Sequence, residues 1–200
     1  MPLYFLCYNQ KMDKVKNLLE ITFFARGGQG AKTAAEILAQ GAVSEGKVVQ
    51  AFPSFGPERS GAPIQTFLRV SNREVRTHEP VLNPDVVVVL DDTLLKTENI
   101  TRNLKKDAIL IVNSVKTAEE LSRQLKFFGK IHAVDADGIS LKIIGQLRPN
   151  TVILGKIIRI ARVAKLESIQ KEFRKIFAKK LGKEICARNM EAIKKAYDNP

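Results

Sequence analysis

The residues best placed to do chemistry in this chain are Arg26-Gly27-Gly28-Gln29-Gly30-Ala31-Lys32-Thr33. They follow the apolar, strand-like run Ile21-Thr22-Phe23-Phe24-Ala25 and open a helical pattern over residues 31–40. Three glycines in four positions let a strand turn tightly and bring its backbone close to another group. Free N–H groups and the positive end of a helix dipole then meet at one point, which suits an anion such as a phosphate. A tight strand-to-helix turn with no ligand is the competing reading.

Two familiar nucleotide motifs fit this loop poorly. A P-loop needs glycine directly before its Lys-Ser/Thr pair and another glycine five residues earlier. Here Ala31 precedes Lys32-Thr33, and position 26 is arginine. A dinucleotide fingerprint needs a third small residue and an acid at the end of the next strand. Gly28 and Gly30 match its first two glycines, but Thr33 stands in the third place and Val49-Gln50-Ala51 offers no acid.

No catalytic grouping emerges elsewhere. Asp91 and Asp92 are adjacent, and neighbours on a strand point to opposite faces, so they do not share a site. Glu58 and Arg59 read as a surface ion pair. His78 and His132 lie far apart with no metal spacing. Cys7 and Cys186 are too few to ligate a cluster that takes four thiolates. Two distant cysteines also argue against a disulfide framework and for a cytoplasmic home. A thiamine-diphosphate signature is absent; Asp135-Ala136-Asp137-Gly138 only echoes its start. The expectation is no catalytic and no metal-binding residue in this chain.

The elements that must position the glycine loop alternate. Strands are expected over residues 20–25, 48–52, 64–71, 86–90, 108–112 and 130–134, with 72–73 turning 64–71 into 74–77 as a hairpin. The unbroken valines at 86–89 predict a central strand covered on both faces. Helices are expected over 29–45, with Gly46 as its stop, and over 117–128, 139–147, 152–162, 166–180 and 187–197. Pro149-Asn150-Thr151 reads as a break that caps the 152–162 helix, and Gly155 predicts close helix packing. The pattern is α/β: a three-layer Rossmann-like fold with a mostly parallel sheet, an antiparallel hairpin and C-terminal helices. Residues 1–19 are expected to lie outside the core as an N-terminal extension, with one domain over 20–197.

Composition narrows the function classes. Of 200 residues, 44% are hydrophobic and 27% charged, which is ordinary for a globular chain. Its apolar runs fall far short of a membrane span. The net charge is +12, and residues 126–200 carry +10 of it. That excess fits lysines on solvated helix faces. Aromatic residues are not interleaved as a base-stacking platform needs, and no nucleic-acid motif appears.

Taken together, Arg26-Gly27-Gly28-Gln29-Gly30, Gln50-Ala51-Phe52-Pro53, Phe55-Gly56-Pro57-Glu58-Arg59-Ser60-Gly61-Ala62-Pro63 and Asn83-Pro84-Asp85 carry a specific likeness. The segments Asn150-Thr151-Val152-Ile153-Leu154-Gly155 and Arg188-Asn189-Met190-Glu191-Ala192-Ile193 extend it. The chain resembles the gamma subunit of pyruvate:ferredoxin oxidoreductase (pyruvate synthase), within the 2-oxoacid:ferredoxin oxidoreductases, over residues 20–197. Residues 1–11 find no counterpart in the match.

The resemblance implies one part of a multi-subunit enzyme. That enzyme oxidatively decarboxylates a 2-oxoacid with coenzyme A and passes electrons to ferredoxin. Its partners would be alpha, beta and ferredoxin-like delta subunits, which hold the thiamine diphosphate and the [4Fe-4S] clusters; no cofactor is expected to bind tightly here. On this reading Arg26, Gly27, Gly28, Gln29, Gly30 and Lys32 are candidates for holding coenzyme A phosphates. Phe55, Gly56, Pro57, Glu58, Arg59, Ser60 and Gly61 form an interface or active-site loop, and the three prolines of the wider 53–63 segment lower the entropy lost on ordering it. The second loop is more similar to the pyruvate and 2-oxoisovalerate types than to the 2-oxoglutarate type. A gamma subunit for another 2-oxoacid and a stand-alone nucleotide-binding regulator remain as alternatives.

Overall fold

The computed structural model describes residues 18–54 and 60–199. Six strands form one sheet in the order β2-β3-β1-β4-β5-β6. They are β1 (Leu18–Arg26), β2 (Val48–Pro53), β3 (Pro63–Ser71), β4 (Val86–Val89), β5 (Ile109–Asn113) and β6 (Lys130–Val134). Helices α1 (Ala31–Ser44), α2 (Leu94–Thr97), α3 (Ala118–Leu125), α4 (Ala136–Ile144), α5 (Pro149–Ala161) and α6 (Leu166–Asp198) complete the fold. Strand β1 begins at Leu18, inside the stretch expected to lie outside the core.

Only β3 opposes the rest. It pairs antiparallel with β1 on one side and β2 on the other, while β1-β4, β4-β5 and β5-β6 are parallel. The expected hairpin of 64–71 with 74–77 does not form, because both edges of β3 are already taken. Residues 74–77 instead pass over the sheet face, where Gln50 Nε2 donates to the Val75 carbonyl (3.0 Å) and Arg69 donates to the Glu79 carbonyl (2.8 Å).

Alternation along the strands builds two cores. Ile21, Phe23, Ala25, Val86 and Val88 face α1, α4, α5 and α6. Phe24, Val87, Val89, Leu110 and Val112 face Leu94, Leu95 and Leu121 of α2 and α3. All four β4 valines are at most 1% exposed, and each stabilises the fold by about 2 kcal/mol. The layers are therefore helix, sheet, helix, as expected.

Helix boundaries follow local chemistry. Gly46, at φ 80°, takes the left-handed turn after α1. Thr117 and Glu120 close a capping box on α3. That helix stops at Leu125 rather than 128, with Lys126 left-handed and Phe128 exposed. Helix α4 begins three residues before the expected 139, because Asp135 caps it by accepting from Gly138 N (2.8 Å). Pro149 starts α5 instead of breaking the chain, since the first helical position has no hydrogen bond to lose. The two expected C-terminal helices are both present within α6, parted at Gly182, whose backbone is not helical (φ 77°, ψ 164°).

Gly155 sets the packing of α5 on α6. A Cβ there would lie 2.0 Å from the Ile193 carbonyl oxygen and 2.7 Å from Tyr197 N, both backbone. At Gly41 the obstacle is Ile169 Cδ1 at 2.4 Å, the end of a flexible side chain. Gly155→Ala is therefore expected to cost about 2–3 kcal/mol and Gly41→Ala less than about 1 kcal/mol, read from urea unfolding midpoints. Arg69, 3% exposed, pairs with Glu20 at 2.9 Å and lies over the Phe52 ring. Arg69→Met, which strands the Glu20 carboxylate, is expected to cost on the order of 3 kcal/mol. Adding Glu20→Gln is expected to recover part of that loss in a double-mutant cycle.

Candidate functional site

In an open α/β sheet, ligands settle at the carboxyl ends of the strands where the strand order diverges. Here that point is the end of β1, with β3 and β2 to one side and β4 to the other. The glycine loop sits there. Gly28 (φ 94°) and Gly30 (φ 78°) take left-handed conformations that other residues rarely adopt. Gly30 also serves as N-cap of α1, without a side-chain cap, and the first turn carries no acid. The opening N–H groups of α1 therefore meet no side-chain cap and no carboxylate from its first turn, which favours an anion in front of the loop.

A cleft of about 480 Å³ opens on this helix start. One wall is Gly28, Gln29, Gly30 and Thr33; another is the start of α5, with Arg148 and Asn150. Asn150 closes over the loop: its Nδ2 donates to the Gly30 carbonyl at 3.5 Å, and a Cβ on Gly30 would lie 2.5 Å from that nitrogen. The far side is apolar, with Ile144, Leu147, Phe177, Leu181 and Ile185. Polar donors at one end and hydrocarbon at the other suit an elongated ligand with an anionic head.

The predicted site residues separate into distinct roles. Arg26 does not stand as a loose cation. Its Nε pairs with Asp91 Oδ2 at 3.2 Å, one terminal nitrogen donates to the Gly61 carbonyl (3.2 Å), and the other donates to Thr93 Oγ1 (2.8 Å). Gln29 folds back, accepting from Arg26 N at 2.7 Å and donating to Asp91 Oδ2 at 2.8 Å. Gly27 N donates to the Ala62 carbonyl, and the Gly27 carbonyl accepts from Gly61 N. Lys32 is exposed, 4.0 Å from Glu36, and does not line the cleft. Ser60 and Gly61 lie at the surface, and Phe55, Gly56, Pro57, Glu58 and Arg59 fall outside the described residues.

Asp91 ties these parts together. Partial burial works to raise its carboxyl, but hydrogen bonds from Thr93 and Gln29 and the Arg26 charge outweigh that and hold it below the ordinary carboxylate range. Asp92 turns elsewhere, accepting from Ser114 Oγ at 2.8 Å, so the two acids do not share a site, although the turn after β4 rather than strand alternation parts them. Asp137 also lines the cleft and accepts from Asn113 Nδ2 at 3.1 Å. Asn113 in turn donates to the Leu90 carbonyl and accepts from Ala136 N, fastening β4 to the start of α4.

Sequence reasoning gave no site role to Arg148, Asn150, Asn189 or Asp91. Asn189 of α6, which lines the cleft and donates to the Ile185 carbonyl at 2.7 Å, offered a signal: an amide on the buried face of an otherwise apolar pattern. His132 lies in a second cleft beside Lys156, where burial and then the Lys156 and Lys130 charges lower its pKa. Among the described residues, no three His, Cys, Asp or Glu side chains gather to hold a metal. Cys186, the cysteine within them, is buried. Among them, too, no helix is long and apolar enough to cross a membrane.

Comparison with known proteins gives the family and the fold. The family model described as pyruvate ferredoxin/flavodoxin oxidoreductase matches residues 20–199. Pyruvate synthase subunit PorC of Thermotoga maritima is 43% identical over 94% of this chain and 97% of its own length. The pyruvate/ketoisovalerate oxidoreductases common subunit gamma of Thermococcus kodakarensis is 46% identical over 90% of this chain and 96% of its own. The crystal structure of pyruvate oxidoreductase subunit PORC from Thermotoga maritima superposes with a TM-score of 0.81 at 42% identity, covering 91% of this chain and 96% of that one. The chain is a member of the pyruvate ferredoxin/flavodoxin oxidoreductase family.

Proposed function

We propose that this chain is the gamma subunit of a cytoplasmic pyruvate:ferredoxin oxidoreductase. The assembled enzyme converts pyruvate, coenzyme A and oxidised ferredoxin to acetyl-CoA, carbon dioxide and reduced ferredoxin. Near-complete mutual coverage with subunits of that name supports the assignment. Thiamine diphosphate and iron–sulfur clusters belong to alpha, beta and ferredoxin-like delta partners.

The single observation that carries a coenzyme A role is the open start of α1 facing a cleft with an apolar far wall. Backbone N–H groups of the glycine loop would take a phosphate, with Arg148 as the cation on the opposite wall. The apolar end would shelter the less polar part of the coenzyme. Lys32, on the exposed side of α1, would add only long-range attraction. Residues 53–63 would dock on the catalytic subunits, with Gly61 and Ala62 at the joint to the glycine loop. A second reading, a gamma subunit shared with a 2-oxoisovalerate enzyme, is favoured by the 46% identity to a subunit named as common to both.

Native pull-down with the chain as bait is expected to bring down larger chains containing thiamine and iron. A partner-free chain that binds nucleotide would favour the stand-alone regulator instead. In the assembled enzyme, Arg148→Ala is expected to raise the KM for coenzyme A by about tenfold, the loss of one charge-assisted hydrogen bond. Lys32→Ala is expected to raise it by about twofold, as an exposed charge acting at a distance through solvent. An unchanged KM in Arg148→Ala would refute phosphate binding in this cleft.

A further inference from the structure

The glycine loop and the end of the proline-rich segment do not merely lie side by side. Gly27 makes one backbone hydrogen bond to each of two residues of that segment, 2.8 Å to the Ala62 carbonyl and 3.1 Å from Gly61 N. Arg26 adds a third link, to the Gly61 carbonyl. Both the guanidinium of Arg26 and the amide of Gln29 converge on one oxygen, Asp91 Oδ2, at 3.2 and 2.8 Å. The other oxygen of Asp91 takes two donors from Thr93, its backbone N at 3.0 Å and its hydroxyl. Four donors thus fill one carboxylate whose side chain is 16% exposed.

We propose that Asp91 is the positioning residue of this site. By fixing Gln29 and the Arg26 side chain that reaches Gly61, it steadies the glycine loop and residues 60–63, already joined through the Gly27 backbone, as one unit, so that coenzyme capture at the loop and seating of the proline-rich segment on partner subunits are linked. The coenzyme half rests on the function proposed above; the lock itself does not. Asp92 cannot take over, because its carboxylate is engaged with Ser114 on the neighbouring strand end. An amide cannot replace the acid either: an asparagine turned to accept through one atom presents N–H groups through the other, and all four partners are donors. Without the carboxylate, Arg26 keeps its bonds to Gly61 and Thr93 but loses its ion pair in the turn after β4, and Gln29 loses the acceptor that holds its side chain across the loop.

The test compares Asp91→Asn and Asp91→Glu with the parent in the assembled enzyme, and by amide hydrogen exchange on the full chain. For Asp91→Asn, the KM for coenzyme A is expected to rise by about tenfold while kcat and the oxoacid KM stay within about twofold. Exchange is expected to quicken together at residues 27–33 and 60–66 and to stay unchanged in β5 and β6. Asp91→Glu, which keeps the charge, should lie between parent and Asp91→Asn; a merely space-filling role predicts the reverse order, since asparagine is nearly isosteric. Unchanged exchange, or quickening confined to one of the two segments, would overturn the lock. Quickening in both segments with an unchanged coenzyme KM would uphold the lock and refute the coenzyme reading instead. The exchange measurement needs no partner subunits, so a variant that fails to assemble still gives an answer.

Discussion

One carboxylate just past the end of β4 gathers the loops around the candidate site. Strands β1 and β4 are parallel neighbours, so their carboxyl ends emerge side by side with their chain directions aligned. Aligned strand ends leave two loops that must be held in a fixed relation without a further ladder of backbone hydrogen bonds. Asp91 supplies that relation by charge and by four accepted hydrogen bonds. Its effect depends on shelter: a fully exposed ion pair of this kind contributes little, whereas a partly buried carboxylate with several fixed donors holds geometry. The glycines then act within that frame, since Gly28 and Gly30 supply left-handed turns that side chains would strain.

The rest of the fold delivers the second wall of the cleft to the same place. Helix α5 carries Arg148 and Asn150 at its start, and its position is set by contact with α6 at Gly155. With no Cβ there, the backbones of the two helices approach closely, and Asn150 comes to rest on Gly30. On the opposite face, Arg69 and Gln50 hold the passage from β3 to β4 by its backbone carbonyls. That passage lets β4 enter parallel to β1 with Asp85 N donating to the Glu20 carbonyl and Glu20 N donating to the Asp85 carboxylate. The Asn83-Pro84-Asp85 motif thus has a structural function: it registers the two strands whose far ends make the site.

Much of this was legible in residue order. Four consecutive valines between turn residues signal a strand buried on both faces, and β4 is one. The glycine loop between an apolar run and a helical pattern is the strand-to-helix turn it was read to be, and Gly155 packs a helix closely as read. Boundaries slipped where a cap or a left-handed residue ends a helix earlier than periodicity suggests, as at Lys126 and Gly145. The 64–77 hairpin was misplaced for a different reason. Local turn signals at Asn72-Arg73 describe a reversal but not which edge is free, and β3 has no free edge.

Family, the alternation of strands and helices, and a glycine turn suited to an anion could all be read from residue order, because each is written in local residue types and spacing. Only the tertiary structure decided that Arg26 is engaged by Asp91, that Lys32 stands away from the cleft and that Arg148 and Asn150 stand in it. Asp91 lies 62 residues from Gln29, and Asn150 lies 120 residues from Gly30. Which side chain satisfies a buried or half-buried charge depends on where the strand ends and helix starts converge in space, and the pairing of distant elements alone fixes that.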